Sequence, residues 1–281
     1  MRAYQELSTF HEWSDKEKDL FTVLVIKGLI MDGVRKANSG HTGGPMSSAD
    51  FAYILFSKFL TQDPDDTEWI ARDRFVLSAG HESMLLYVLL FLSGRLSLKD
   101  LKEFRQLHSK TPGHPEVEIS GVEATTGPLG QGVCMATGMA LAEVILCNLF
   151  EKNGSDLLSH FTYVLASDGD IQEPVTIGAA SLAGHWRLKK LIMFYDSNEA
   201  QISGKTHRSE STDIPIIFEG IGWHVQEIDG HDHQAIRKAI QKAQIIDRPS
   251  IIVGKTTMAK GSSTMEGDHN THGAPLPQDE I

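Results

Sequence analysis

From Phe161 to Lys255 short apolar strands alternate with helices, and this alternation limits the fold more than any other feature of the chain. Phe161 to Ala166 reads as a buried strand, Thr176 to Ala183 as a helix and Leu191 to Tyr195 as a strand. Ile214 to Gly220 reads as a short helix, His224 to Ile228 as a strand, Asp232 to Ile246 as a helix and Ser250 to Lys255 as a strand. Strands joined through helices run in the same direction, so the fold class is α/β: a parallel sheet flanked by helices.

The first half supplies more helix. Asp15 to Lys36 is an amphipathic helix ending at Ser39-Gly40. Ser47-Ser48 is expected to cap a second helix carrying Phe51, Ile54, Leu55, Phe56 and Leu60. Arg74 to Leu77 is a short strand running into Gly80-His81, and Met84 to Leu92 continues as a buried helix. Leu98 to Leu107 reads as an exposed helix. Ser109 to Pro128 is aperiodic and rich in Gly, Pro and Thr, and loops of that length tend to carry function. Gly130 to Phe150 is a long helix whose Gly132, Ala136, Gly138 and Ala140 suit close packing. With no repeat, low-complexity stretch or linker, residues 1–281 read as a single domain.

Charge and cysteine content narrow the function classes. There are 26 basic and 37 acidic residues, a net charge of −11, which argues against a nucleic-acid partner. Anionic ligands stay open, because local backbone dipoles can hold them. The two cysteines, Cys134 and Cys147, sit in one apolar helical stretch; neither a disulfide nor a zinc pair is expected, and a reducing, cytoplasmic location fits. Met1 to Lys18 is polar and charged, unlike a secretory signal. The apolar run Met84 to Leu92 is too short to span a bilayer, so no membrane association is expected.

Thirteen histidines are present, and four lie in loops rich in glycine or proline. These loops are Ser39-Gly40-His41-Thr42-Gly43-Gly44-Pro45, Ala79-Gly80-His81-Glu82-Ser83, Thr111-Pro112-Gly113-His114-Pro115 and Thr271-His272-Gly273-Ala274-Pro275. Backbone in such loops can approach a ligand closely, and imidazole exchanges a proton near neutral pH. Together they suggest a polar pocket for chemistry on a hydroxylated substrate. His11, His108, His160, His185, His207, His224, His231 and His233 read as solvent-facing or satisfied residues. His269-Asn270-Thr271-His272 lacks the glutamate of a zinc-protease helix and is not read as a zinc site. Gly130-Gln131-Gly132 is not a nucleotide fingerprint, since no strand precedes it.

Two strands end in oxygen-bearing residues, one at Asp168-Gly169-Asp170 and one at Asp196-Ser197-Asn198. Asp168 and Asn198 are thirty positions apart, the length of one strand–helix–strand unit. Adjacent strand ends would bring a carboxylate and an amide oxygen together as a hard site for Mg²⁺ or Ca²⁺. Further ligands would come from a phosphate, and Gly169 would let a diphosphate approach the backbone. An isolated Asp-Gly would more simply be a β-turn; the asparagine at the next strand end favours the metal–diphosphate reading.

These segments resemble one family. Asp168-Gly169 with Asn198 is similar to the thiamine-diphosphate motif. The His41, His81, Thr-Pro-Gly-His114-Pro, Gly127-Pro-Leu-Gly-Gln-Gly132 and His272-Gly-Ala-Pro segments follow the order seen in transketolases, from about Lys27 to the end. The resemblance implies the thiamine-diphosphate-binding (PP) fold. It also implies that Asp168, the Asn198 side chain and the Ala200 carbonyl hold the divalent ion, with Gly169 against the diphosphate. His41, His81 and His272 would surround the diphosphate, thiazolium and reacting carbons, and Gly127, Pro128 and Leu129 would contact the cofactor ring. His114 would bond the terminal hydroxyl of the substrate, His272 and His41 would serve as candidate bases, and Glu173 would face a subunit contact. The chain departs from the family pattern at Ser167 (usually Gly), at Glu173-Pro174 (usually Glu-Gly), at Thr42 (often Pro) and in Asn198-Glu199-Ala200.

Transketolases carry two further domains, one of which binds the aminopyrimidine ring, and 281 residues leave no room for it. The resemblance therefore implies the N-terminal subunit of a split transketolase. It would transfer glycolaldehyde between sugar phosphates together with a C-terminal partner subunit, as an α2β2 heterotetramer. A piece cut from a longer chain would read the same way. A thiamine-dependent 2-oxo-acid decarboxylating subunit and a non-catalytic cofactor- or partner-binding module are the alternatives.

Overall fold

The structure is a computed structural model that describes residues 9–150, 157–202 and 204–281. The polar stretch at 1–8, part of the reading of the N-terminus, lies outside them. In chain order the elements are α1 (Asp15–Ala37), α2 (Gly43–Lys58), β1 (Arg74–Leu77), α3 (Ser83–Leu92), α4 (Leu98–Lys102) and α5 (Gln131–Phe150). Then come β2 (Thr162–Ser167), α6 (Asp168–Gln172), α7 (Pro174–His185), β3 (Leu191–Ser197), β4 (Ala200–Gln201) and β5 (Gly204–Lys205). The chain closes with α8 (Ile214–Gly220), β6 (His224–Asp229), α9 (His233–Ile245) and β7 (Ser250–Lys255), followed by loops to Ile281.

The five long strands form one sheet in the order β1-β2-β3-β7-β6, with every pairing parallel. Helices cover both faces, and successive strand residues alternate between two cores. Tyr163, Leu165, Ile192, Phe194 and Ile252 join the core shared with α1, α2, α3 and α9. Val164, Ala166, Met193, Tyr195, Ile251 and Val253 join the core under α5, α7 and α8. The ring of Phe51 in α2 stacks on Phe194 at 3.9 Å, which locks the first layer onto the middle strand. Burying a side chain of that size contributes about 2–3 kcal/mol.

The strands and long helices lie where the periodicity placed them, with ends shifted by at most four residues and several, such as those of β1, α8 and β7, not at all. Three local expectations are corrected. First, α2 starts at Gly43, so Ser47 and Ser48 are buried inside the helix and do not cap it. Ser47 instead donates to Gly44 O (2.8 Å) and to Asp196 Oδ2 (2.6 Å). Second, the exposed helix expected to Leu107 stops at Lys102, because Leu101 and Phe104 turn into the core and Arg105 and His108 take positive φ. Third, Asp168 opens the short helix α6 and a small hairpin, β4–β5, follows Asn198; neither element was expected.

Of the small residues of α5, Gly132, Ala136 and Ala140 are buried, and a Cβ on Gly132 would stand 2.5 Å from the Ser78 Cα; Gly138 is instead exposed, with nothing packed against it. By length and composition α5 could cross a bilayer, which the run Met84 to Leu92 could not. Here its inner face, Val133, Ala136 and Ala140, is buried on the sheet, and its Glu143 pairs with Lys190 at 2.6 Å.

Gly184 gives a test of this packing. Alanine is favoured over glycine inside a helix by about 1 kcal/mol. A methyl at Gly184, however, would fall within the van der Waals shell of the Ile221 backbone oxygen. Urea unfolding of Gly184→Ala should show a net loss of about 1–3 kcal/mol; a gain would mean that α7 does not press on the α8–β6 turn.

Candidate functional site

Parallel strands deliver all their carboxyl ends to one edge of the sheet, where ligands of such folds bind. The β2–β3 register pairs Ser167 with Asp196, which sets Asp168 beside the chain leaving β3. Asp168 is 3% exposed. Its Oδ1 accepts from the Tyr195 hydroxyl at 2.5 Å, while Oδ2 is buried with no partner. Burial pushes its carboxyl up to about 7, opposed by the Tyr195 hydroxyl and by the backbone N–H groups of Asn198 and Glu199. An orphaned carboxylate oxygen in this setting fits a bound cation, which would supply the missing charge.

Asn198 does lie at the adjacent strand end, but its amide is already engaged. Oδ1 accepts from Ala200 N (3.0 Å) and Nδ2 donates to Asp196 Oδ2 (2.7 Å). Ala200 is buried at the start of β4. Among the described residues no cluster of three or more His, Cys, Asp or Glu is arranged for a metal. One carboxylate, one amide oxygen and one backbone oxygen would need phosphate oxygens to complete a shell.

Two buried carboxylates that sequence reasoning did not single out shape this edge. Asp170 Oδ1 accepts from Ser78 Oγ (2.6 Å) and Gly130 N (2.8 Å), and Oδ2 accepts from Ser167 N (2.9 Å) and Ser167 Oγ (3.0 Å). The serine at 167 therefore has its own use in place of glycine. Asp196 accepts from Ser47, Asn198 and the Thr256 hydroxyl. A third acid, Glu82, is fully buried; burial and the nearby Asp196 raise its pKa well above the usual range and favour its neutral form. A run of strand-end acids carries no spacing signal that separates these roles.

Three of the four loop histidines converge. Ring centroids of His41 and His81 are 4.9 Å apart, those of His41 and His272 5.4 Å, and those of His81 and His272 5.1 Å. His41 follows the left-handed Asn38 and Gly40, His81 follows β1, and His272 follows a short turn capped by Asp268. The Thr42 hydroxyl donates to Ala274 O at 2.9 Å and ties the first loop to the last. His269 lies beside Asp268 (3.7 Å) while His272 faces His41 and His81, so the two do not act as a metal pair.

The imidazoles are poised as neutral groups. Burial, then the neighbouring His272, Arg105 and His114, pushes His41 down to about 4, and its Nδ1 is buried without a partner. Burial and the other three histidines hold His81 well below its ordinary value, and burial alone lowers His272. His114 is exposed at the mouth, lowered by burial of part of its ring and by Arg105. It sits against Gly127, where a Cβ would be 3.3 Å from the His114 Cγ. Pro128 is exposed and Leu129 half-buried, and a Cβ on Gly169 would be 2.7 Å from Leu129 Cδ1, so this loop packs on the first turn of α6.

Glu173 is exposed on the outer side at the start of α7. His231 and His233 are satisfied residues: both bond Asp50 (3.1 and 2.8 Å), which also pairs with Lys27 at 3.0 Å. Although burial works against it, those histidine bonds and the Lys27 charge hold the Asp50 carboxyl well below the usual range.

Known proteins resemble this chain closely. The profile of the transketolase, thiamine diphosphate binding domain matches residues 19–281. Transketolase 2 of Aliivibrio fischeri is 52% identical over 259 residues, covering 91% of this chain and 39% of the relative. The transketolase of Halalkalibacterium halodurans is 49% identical over 269 residues, covering 95% and 40%. The crystal structure of Campylobacter jejuni transketolase superposes with a TM-score of 0.89 at 47% identity, over 92% of this chain and 40% of that one. A Pichia stipitis transketolase in complex with sedoheptulose 7-phosphate gives 0.91 at 43% identity, over 94% and 39%. The chain thus spans about two fifths of the length of these relatives.

A histidine held neutral in the fold binds its proton more readily once unfolded, so its contribution to stability is lost as pH falls from 6.5 towards 4. For His41 that loss is as much as roughly 3 kcal/mol. Urea denaturation of the natural chain should therefore decline more steeply between pH 7 and 4 than that of His41→Gln. Parallel declines would show that the imidazole is not shielded.

Proposed function

Because the chain belongs to the transketolase family through its thiamine-diphosphate-binding domain, we propose that it is the diphosphate-binding half of a working transketolase. In this reading it moves a two-carbon glycolaldehyde unit from a ketose phosphate to an aldose phosphate. The other half, including the pyrimidine-binding region, comes from a C-terminal partner subunit, in an α2β2 assembly. The observation that carries the reading is the meeting of His41, His81 and His272 from three separate loops at the carboxyl edge of the sheet.

The residues present fit the cofactor. Asp168 brings an unsatisfied buried oxygen for Mg²⁺ or Ca²⁺, with the Asn198 amide oxygen and the Ala200 carbonyl as companions once the amide turns from its present partner. Gly169 would lie against the diphosphate, and Gly127, Pro128 and Leu129 against the ring. When bound, thiamine diphosphate supplies an electron sink for cleaving a carbon–carbon bond next to a carbonyl.

The chain's own work is proton handling and positioning. A neutral imidazole keeps a lone pair, so His41 can take the hydroxyl proton of the ketose as its bond opens, with His272 as the second candidate. His81 completes the enclosure. His114, exposed beside Gly127, is placed to bond the terminal hydroxyl of the donor and fix its orientation.

The surface supports a partner. Glu173 and Trp186, at the two ends of α7, and Val175 and Leu182 within it are exposed, as are Ile145, Leu149 and Phe150 of α5, which packs beside α7. Apolar patches of this kind are usually covered. Cys134 and Cys147 do not pair with each other in α5, and a reducing, cytoplasmic setting is part of this reading.

Calorimetry should show that Asp168→Ala loses Mg²⁺-dependent binding of thiamine diphosphate; unchanged binding would overturn the cation assignment. In the enzyme assembled with its C-terminal half, His114→Ala should raise the KM for a ketose phosphate by about tenfold or more, leaving cofactor affinity intact. Equal loss of both would remove His114 from the substrate. Failure of the assembled enzyme to act on any sugar would leave a cofactor-binding module.

A further inference from the structure

Two residues just beyond α4 hold two of the histidine loops at once. Phe104 is buried under Gly40, where a Cβ would stand 2.9 Å from the Phe104 ring. Arg105 follows with φ 59°, a left-handed conformation that a residue bearing a Cβ adopts only at a cost. Its backbone N–H donates to Thr111 O at 2.8 Å. Its guanidinium Nη1 donates to Ser39 Oγ at 2.8 Å, and a Cβ on Gly113 would be 2.9 Å from Nε. Tyr87 completes the support: its ring packs on Phe104 at 6.2 Å and its hydroxyl donates to Pro112 O (3.0 Å) and His114 O (3.2 Å). Arg105 therefore touches the residue two before His41 and the residue just before His114.

Among the described residues no carboxylate pairs with the guanidinium, which lies over the Phe104 ring at 5.7 Å. Its one recorded side-chain hydrogen bond goes to a neutral hydroxyl, and its Nε is buried with no partner. Apart from the histidines, the titratable neighbour that bears on it is Tyr87. Strain in the backbone and a half-buried cation with no carboxylate beside it are both unfavourable for folding alone, and such features can serve a site.

We propose that Arg105 is a positioning residue: its guanidinium fixes the Ser39–His41 loop against the Thr111–His114 loop and so sets His41 relative to His114. Its positive charge also acts on both imidazoles and disfavours a proton on either. His41 is faced by His81, His114, His272 and Arg105; His114 is faced by Arg105, His41 and His81. His81 answers to the other histidines and His272 to burial, neither directly to Arg105. Lysine could supply the charge but not the planar fork that reaches Ser39 while lying under Gly113. The catalytic meaning of this strut rests on the transketolase reading, whereas its geometry and field belong to this chain alone.

The test is an NMR titration of isotope-labelled histidines in the whole chain, assigned by single histidine substitutions. Arg105→Asn tolerates the left-handed backbone and removes the cation. It should keep the thermal midpoint near that of the natural chain while raising the proton affinity of His41 and His114 roughly three- to tenfold, with His272 unmoved. Arg105→Lys should hold both midpoints low. If Arg105→Asn fails to fold, Arg105→Gln reads the same shift. Unmoved His41 and His114 midpoints in a folded variant overturn the proposal, as does an equal shift of all four histidines, which would mean general loosening. In the assembled enzyme, the acid limb of the pH–rate profile should move to higher pH in Arg105→Asn with unchanged cofactor affinity. A natural assembled enzyme without activity on any sugar would instead sink the transketolase reading and leave the titration result standing.

Discussion

Asp170 receives four hydrogen bonds from three directions, and the shape of the site edge depends on them. Ser78 comes from the end of β1, Ser167 from the end of β2 and Gly130 from the head of α5. A carboxylate buried without such donors would cost several kcal/mol, so the group enforces its own surroundings. Asp196 does the same one strand over, gathering Ser47 of α2, Asn198 and Thr256. The two acids convert parallel strand ends, which are common to many folds, into a fixed frame for the loops above them.

Within that frame the chemistry is set by dehydration. His41, His81 and His272 crowd within about one ring's width of each other, and a proton on one would repel a proton on the next. Burial makes the neutral form of each cheaper still. Asp168 answers the same environment in the opposite sense: burial resists its charge, and one of its oxygens has no hydrogen-bond partner. A net charge of −11 over the chain does not prevent this edge from suiting an anionic cofactor, because its polar groups here are neutral rings, backbone N–H groups and a cation-seeking carboxylate.

The departures from the family pattern each find a use in the structure. Ser167 bonds Asp170, Pro174 occupies the first turn of α7 where no N–H is needed, and Thr42 bonds Ala274 across two loops. Glu199 takes a left-handed φ of 59° that turns the chain into β4 after Asn198. Ile145, Leu149 and Phe150 of α5 and Val175 and Leu182 of α7 stay exposed.

Periodicity alone was enough for the sheet and its long helices, because a strand buried on both faces must be apolar and a crossover helix must carry one apolar stripe. Gly-rich histidine loops and the Asp168–Asn198 spacing were legible for a similar reason: backbone approach and strand-end placement leave marks in residue type and distance along the chain. Other features were invisible there. Ser47 looked like a cap because serine usually is one, yet Asp196, 149 residues later, recruits it into a helix. Leu98 to Leu107 had helical character, but Phe104 is drawn under Gly40 and Arg105 beneath Gly113, which breaks the helix. Which acid is saturated (Asp170), which is pushed towards its neutral form (Glu82) and which keeps a free oxygen (Asp168) was decided only by tertiary structure. Burial and donor count are sums over residues brought together from distant parts of the chain, and no local stretch of sequence contains them.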